Sequence, residues 1–154
     1  MLKIGVAEYF GVYLIHNYHG QGLKNITGVA DRGRTFANIS DGEEFELYCV
    51  SLLELNGYKN VSLTPVIGDH GVDIIAEKDN IKYDIQCKYY SVPVGNNAVQ
   101  EVFTGRAFYK CDIAIVMTNS TYTRQAIEEA TALGVKLWDG DYLQDLKQLH
   151  ASKL

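Results

Sequence analysis

The feature that most constrains this fold is a two-residue turn, Asp79-Asn80, between two segments in which apolar and polar residues alternate. Asp and Asn tolerate the positive φ that a type I′ hairpin turn needs at both central positions. We therefore predict that residues 71–78 and 81–88 pair as an antiparallel hairpin with Lys78 opposite Ile81.

This register decides which side chains share a face of the hairpin. Asp73 falls opposite Gln86, with Cβ atoms about 5 Å apart, and Lys88 follows on the same face because side chains alternate with a period of two. Glu77 falls opposite Lys82, an opposite-charge pair that supports the register. A slip of one residue would turn Asp73 toward the core, where an unpaired carboxylate is costly to bury.

The rest of the chain shows helical and strand patterns in alternation from Ser40 onward. A capping box of Ser40 and Glu43 begins an amphipathic helix that ends at Asn56-Gly57. The later elements predicted are a strand at 61–64, the hairpin, a helix capped by Asn96 or Asn97 and running to about Lys110, a strand at 111–118, a helix from Ser120 to Gly134, a strand at 135–138 and a helix at 141–149. This order predicts the α/β class.

We expect a mixed central sheet flanked by helices, with three antiparallel strands first and later strands added through crossover helices. A chain of 154 residues suits a single core. Residues 1–40 show no clean period and are predicted to be an N-terminal extension, whereas residues 41–154 form the main domain.

Charge and cysteine content limit the function. The net charge is −5, and residues 41–112 hold twelve acidic and six basic side chains. DNA-binding proteins usually present a basic surface, so the charge disfavours nucleic acid unless these acids hold divalent cations. Three separated cysteines with no CxxC pair favour a reducing, cytoplasmic setting. Lys3 and Glu8 interrupt the apolar start, which argues against a signal peptide or a membrane span.

The acid, the amide and the lysine at the open end of the hairpin suit chemistry at a phosphate. Asp73 and Gln86 offer the oxygen ligands that Mg²⁺ prefers, and the carbonyl of Cys87 can add another. Lys88 can position or deprotonate a water, or stabilise charge that develops on a phosphate. Glu46 completes the set because it lies at the edge of the apolar stripe of the first helix.

Plainer interpretations of the same residues stay open from spacing alone. A solvated hairpin face often carries such polar residues, and Glu46 is also typical of a helix edge. Cys87 alternates onto the core face with no His placed to activate it, which favours a buried thiol over a nucleophile. His16 and His19 lack a third zinc ligand. His70 can touch a substrate phosphate, but the polarity of its glycine-flanked loop explains it equally well.

Several strings of the sequence carry a resemblance to a known family. They are Gly42-Glu43-Glu44-Phe45-Glu46, Asn56-Gly57-Tyr58, Gly68-Asp69-His70-Gly71-Val72-Asp73-Ile74-Ile75-Ala76, Gln86-Cys87-Lys88-Tyr89-Tyr90, Ala98-Val99-Gln100-Glu101-Val102, Val116-Met117-Thr118-Asn119 and Leu137-Trp138-Asp139-Gly140. Over about residues 41–145 the chain resembles the Mrr-like branch of the PD-(D/E)XK, or restriction-endonuclease-like, superfamily. That branch has an Asp followed by Gln-x-Lys in place of the more widespread Glu-x-Lys.

The resemblance implies Mg²⁺-dependent hydrolysis of phosphodiester bonds in double-stranded DNA, with Mn²⁺ as a substitute metal and 5′-phosphate and 3′-hydroxyl products. It places Asp73 and Gln86 on the metal, Glu46 as an outer or water-mediated ligand, and Lys88 beside the attacking water. For the DNA itself we expect contacts from His70, Lys82, Gln100 and Arg106.

Alternatives to this nuclease function remain. A non-cleaving DNA-binding or assembly module is one, because neutral Gln86 binds a cation more weakly than a glutamate does; a Holliday-junction resolvase is another. Restriction enzymes of this family that act on methylated DNA usually carry a separate recognition domain, and 40 preceding residues are shorter than an ordinary one, so methylation dependence is not predicted. Cleavage of both strands favours a homodimer.

Overall fold

The structure, a computed structural model, describes residues 12–15, 24–27, 39–65, 68 and 70–151. The chain divides into two units, Met1–Asn38 and Ile39–Leu154. In the first unit, β1 (Val12–Ile15) and β2 (Lys24–Thr27) pair in antiparallel orientation. The remaining residues of the predicted N-terminal extension up to residue 38 lie outside the described part. None of the helices in the described ranges is long and apolar enough to cross a membrane.

The second unit alternates helices and strands in the predicted order. Its elements are α1 (Gly42–Leu55), β3 (Lys59–Leu63), β4 (Ile74–Lys78), β5 (Ile81–Lys88), α2 (Asn96–Tyr109), β6 (Ile113–Thr118), α3 (Arg124–Leu133), β7 (Lys136–Trp138) and α4 (Gly140–Ala151). The sheet order is β3-β4-β5-β6-β7. The first three strands are antiparallel, and β6 and β7 are added in parallel. The α/β class and the mixed sheet are confirmed.

The β4–β5 hairpin has the predicted register. Asp79 and Asn80 have φ values of 53° and 62°, as a type I′ turn requires, and Lys78 pairs with Ile81. The first strand of the hairpin starts later than predicted, at Ile74, because Gly71 adopts a φ of 73° that interrupts extended backbone. The residues just before Ile74 therefore belong to a loop that approaches the end of β5.

The start of α1 differs from the prediction by one residue. The N-cap is Asp41, not Ser40: the Asp41 carboxylate accepts a hydrogen bond from the main-chain N of Glu44 at 2.9 Å. The Glu44 carboxylate accepts in turn from the main-chain N of Ser40 at 2.7 Å. The reciprocal capping interaction is present, but shifted along the chain because an Asp competes with the Ser for the cap.

Two later helices also begin at residues other than those predicted. The N-cap of α2 is Gly95, which has no side-chain capping bond, so the predicted cap at Asn96 or Asn97 is wrong. α3 begins after Thr123, not directly after Ser120, and the Thr123 hydroxyl accepts from the first turn of the helix. Neither shift changes the order of the elements.

Helices cover both faces of the sheet. α1 contacts β3, β4, β5 and α4 on one side, while α2 contacts β5, β6 and α3 on the other. The core between α2, α3 and the sheet consists of small and β-branched residues: Val94, Ala98, Val99, Val102, Ala114, Val116, Ala126, Ala130 and Val135. β5 is therefore a central strand with both faces covered, and its side chains alternate between two different environments.

Candidate functional site

The two faces of β5 differ in chemistry. The odd-numbered side chains Tyr83, Ile85 and Cys87 face α1, and the even-numbered side chains Asp84, Gln86 and Lys88 face α2. Asp84 is completely buried and Gln86 is only 5% exposed. On β5 this side is therefore covered by α2 at Asp84 and Gln86, and the interpretation of Gln86 as part of a solvated face is wrong.

Asp73 is fixed beside the open end of β5. Its Oδ2 accepts a hydrogen bond from the main-chain N of Cys87 at 2.6 Å, and its own main-chain N donates to the carbonyl oxygen of Ile85 at 2.8 Å. The carboxylate therefore lies against the main chain of the segment from Gln86 to Lys88. The structure thus brings the predicted acid, amide and lysine to one end of the hairpin.

Gln86 contributes an unsatisfied oxygen. Its Oε1 is buried and accepts no hydrogen bond from any residue in the described ranges. Leaving such an acceptor without a donor costs about 1–3 kcal/mol, and the exception calls for an ion or a water. Side-chain amide oxygens are regular ligands of hard divalent cations. The donor set of Asp73, Gln86 and the Cys87 carbonyl therefore fits such a cation.

The ammonium group of Lys88 is held by α2. Lys88 Nζ lies 3.2 Å from Oε2 of Glu101, with the two side chains 20% and 48% exposed. Glu101 is brought close by the loop before β4, since a Cβ added to Gly71 would lie 2.7 Å from the Glu101 Cβ. The neighbouring Gln100, predicted to contact DNA, has its side-chain amide donating to Glu129 of α3 at 2.7 Å.

Glu46 approaches from the α1 side. Glu46 is half-buried. The pKa of the nearby Cys87 thiol is raised mainly by burial and then by a hydrogen bond with Cys49. The negative charges of Asp73 and Glu46 raise it further. A thiol with a raised pKa stays protonated at neutral pH and is a poor nucleophile, which agrees with the buried-thiol interpretation. Within the described ranges no three His, Cys, Asp or Glu side chains form a group that could hold a metal ion, so a metal here depends on amide and carbonyl oxygens.

Asp84 was not singled out from the sequence. Neither of its carboxylate oxygens has a hydrogen-bond partner among the described residues. Burial raises its pKa from 3.8 to about 7, opposed by the nearby main-chain N–H of the same residue and by the charge of Arg106. The signal was present in the sequence as a third polar residue at a spacing of two from Gln86, but only the packing of α2 shows that this residue is buried.

The remaining residues predicted to contact DNA each contact α2 or belong to it. His70 is exposed and stacks on Phe108, with ring centroids 3.7 Å apart. The Arg106 guanidinium lies over an aromatic ring of the same helix. Lys82 lies at the turn end of β5, where its Nζ donates to the carbonyl oxygen of Tyr109 at 3.0 Å. Lys82 is four residues from Gln86 and five from Cys87, which places it about 13–17 Å along the strand from these predicted metal ligands.

The cross-strand pair used to argue the register is more complex than predicted. Glu77 and Lys82 are register partners as expected. Their side chains nevertheless bond elsewhere, since the Glu77 carboxylate accepts from the amide of Asn60 at 2.8 Å and Lys82 bonds to α2. The register is correct, and the turn explains it better than this charge pair does.

The sheet topology and the placement of Asp73, Gln86 and Lys88 define a restriction-endonuclease-like α/β domain. A family model described as "Restriction endonuclease", Mrr_cat, matches residues 37–147. The chain belongs to this family.

Individual relatives agree in fold. An uncharacterized protein of Archaeoglobus fulgidus is 26% identical over 99 residues, 59% of this chain and 57% of the relative. The crystal structure of AF1548, a protein of unknown function, has a TM-score of 0.54 and 23% identity over 63% of this chain and 57% of that one. AspBHI, a DNA modification-dependent restriction endonuclease, has a TM-score of 0.55 and 20% identity over 71% of this chain and 31% of its own. This chain spans little more than half of the first two and about a third of AspBHI.

Proposed function

We propose that this chain is a divalent-cation-dependent endonuclease that hydrolyses phosphodiester bonds of double-stranded DNA in the manner of Mrr-type enzymes. Family membership supports the class of reaction. The observation that carries the proposal is the Asp73 carboxylate bonded to the main chain of Cys87, between an amide with an unsatisfied buried oxygen and a paired ammonium group.

The metal ligands would be Asp73, Gln86 and the carbonyl oxygen of Cys87, with Glu46 acting as an outer or water-mediated ligand. Mg²⁺, or Mn²⁺ in its place, supplies a Lewis acid for a phosphoryl oxygen and lowers the pKa of a bound water. Gln86 gives this site one carboxylate fewer than a Glu-x-Lys site, so we expect weaker cation binding and a demand for higher metal concentrations.

Lys88 acts as a positioned cation. Its ammonium group is paired with Glu101 at 3.2 Å, and in this form it donates hydrogen bonds and stabilises negative charge that develops on the phosphate oxygens. A water oxygen attacks phosphorus and gives up a proton to solvent; the bond from phosphorus to the 3′ oxygen breaks and the 3′ oxygen takes up a proton, which leaves 5′-phosphate and 3′-hydroxyl ends. Glu101 is a positioning residue in this scheme, because it acts through Lys88.

A plasmid-nicking assay with a Mg²⁺ or Mn²⁺ titration tests the proposal. We expect Asp73→Ala and Lys88→Ala to abolish nicking. Glu128→Gln is a matched control, because it removes a carboxylate from an exposed ion pair with Arg124 on α3, away from the site. Nicking that survives both site substitutions would show that these residues are not the catalyst.

A non-cleaving DNA-binding module is the second candidate. The neutral side chain of Gln86 favours it, as does the absence of a group of three metal-binding acidic, His or Cys side chains in the described ranges. DNA binding without nicking at any metal concentration would support this module over the nuclease. Comparing cleavage of four-way junctions with cleavage of linear duplex tests the resolvase alternative. Comparing methylated with unmethylated plasmid tests dependence on DNA modification. Sedimentation of the free chain tests for a homodimer.

A further inference from the structure

We infer that the stacked rings of His70 and Phe108 form a platform on which a DNA base stacks, close to the catalytic residues. The inference rests on the proposed function, because DNA is the partner it names. It assigns a role to Phe108, a residue that the sequence pattern did not single out, and it gives His70 an aromatic role in place of a phosphate contact.

The ring pair is exposed and held in place. Phe108 is 58% exposed, and the two ring planes are 30° apart. Tyr109 supports Phe108 from the edge, with centroids 5.0 Å apart. The main chain of His70 rests directly on α2, since a Cβ added to Gly105 would lie 2.9 Å from the carbonyl oxygen of His70. An exposed aromatic face that is already ordered loses little entropy when a base stacks on it.

The charges around the platform favour a polyanion. Arg106 lies on the same part of α2, Lys110 forms the C-cap of that helix, and Lys82 bonds to the carbonyl oxygen of Tyr109. These three cations stand out in a segment that is acidic as a whole. Aromatic side chains among basic groups are the combination that binds nucleic-acid strands by stacking and by phosphate contacts. A second copy of this acidic chain is the less favourable occupant.

The position of the platform limits which bases it can reach. His70 precedes Asp73 by three residues, so the two Cα atoms are at most about 11 Å apart. A DNA strand advances about 3.4 Å per nucleotide. The platform therefore contacts a base within about three nucleotides of the phosphate that is cut. Since a base in a duplex is already stacked, we expect the contact at a base that is displaced or at a distorted step.

The test measures equilibrium binding of a duplex by fluorescence anisotropy, with Ca²⁺ in place of Mg²⁺. We expect Phe108→Ala and Phe108→Leu to weaken binding by about 5- to 100-fold, the range of a lost base–aromatic stack. Phe108→Trp keeps the aromatic face and should stay within about twofold. Ile127→Ala, 50% exposed on α3, is the control for loss of an exposed apolar side chain and should bind like the unchanged chain.

A scan with single abasic sites identifies the base. The unchanged chain should lose affinity at one position of the duplex, within about three nucleotides of the cut, and Phe108→Ala should be insensitive to an abasic site there. If Phe108→Leu binds as tightly as the unchanged chain, the inference is overturned, because the contact is then not stacking. The inference is also overturned if Phe108→Ala changes the sedimentation of the chain but not its Kd for DNA, since the surface then contacts a second copy of the chain.

The same measurements separate this inference from the proposed function. If the chain binds DNA but does not cleave it, only the proposed hydrolase function is contradicted. The comparison of Kd values between the unchanged chain and Phe108→Ala still tests the platform. Cleavage and binding that Phe108→Ala leaves unchanged contradict the platform alone. A chain that binds no DNA contradicts both.

Discussion

The two faces of β5 are made from the same eight residues and have different roles. Toward α1 the strand presents Tyr83, Ile85 and Cys87, which pack in the core. Toward α2 it presents Asp84, Gln86 and Lys88, of which the first two are buried with unsatisfied oxygens. One face supplies packing energy, while the other is costly to bury and pairs a charged group, Lys88, with Glu101. Buried unsatisfied groups of this kind are expected at functional sites, where local rules of stability are broken.

The largest effect we predict is on the polar face, from Lys88→Met. The substitution keeps most of the length of the side chain but removes the charge, so we expect cleavage to fall about 10²- to 10³-fold while the melting temperature changes little. Single-turnover cleavage of a plasmid and thermal unfolding of the same samples check the two parts. A large loss of stability with this substitution would contradict the assignment of packing to the α1 face and of chemistry to the α2 face.

On the apolar face the expected effect is on stability. Ile85 is completely buried, so Ile85→Ala should lower the free energy of unfolding by about 2–5 kcal/mol. Urea unfolding measures this value. The folded fraction should still cleave DNA with a normal rate constant; a fall in that constant comparable to the one for Lys88→Met would show that the α1 face also takes part in the chemistry.

We predict that Asp84 makes the free energy of unfolding depend on pH. Burial raises its folded-state pKa from 3.8 to about 7, so the folded chain keeps a proton that the unfolded chain loses between these values. The free energy of unfolding should therefore fall as pH rises from about 4 to about 7, by up to about 1.4 kcal/mol per pH unit.

Asp84→Asn should remove that slope and be more stable than the unchanged chain above pH 7. Asp145→Asn, at an exposed position of α4, should keep the slope. Denaturant unfolding at several pH values measures it. Equal slopes with and without Asp84 would contradict the claim that this face buries a carboxylate at a cost.

The smallest effect we predict is from Glu101→Gln. The amide keeps a hydrogen-bond acceptor near Lys88 but removes the charge, so we expect kcat to fall by about 3- to 10-fold, the size of a charge-assisted hydrogen bond replaced by a neutral one. KM should be unchanged. Glu128→Gln on α3 should have no effect. An increase in KM with kcat unchanged would mean that Glu101 contacts DNA and does not position Lys88.

The local part of this architecture was predictable from the sequence. Asp79-Asn80 adopts the positive φ values that its residue types allow, and the turn alone aligns Asp73 with the end of β5. The order of helices and strands followed from periodicity in the same way. The start of α1 was predicted one residue early, because Ser40 and Asp41 are both good N-caps and only their geometry decides between them.

The part that was not predicted depends on how α2 packs. No local pattern shows that Glu101 pairs with Lys88 or that Asp84 is buried. Both follow from close approaches of the loop to the helix, at Gly71 against Glu101 and at Gly105 against Val72. Such contacts join residues about 30 positions apart, and they depend on tertiary packing that overrides local propensity.

We propose that one end of β5 holds a divalent cation through Asp73 and Gln86, and calorimetric titration with Mn²⁺ tests this proposal most directly. We predict that Asp73→Asn weakens binding by at least about tenfold, that Gln86→Glu tightens it because a carboxylate replaces an amide, and that Asp145→Asn leaves it unchanged. Mn²⁺ binding that is equally tight in the unchanged chain and in Asp73→Asn would contradict the claim.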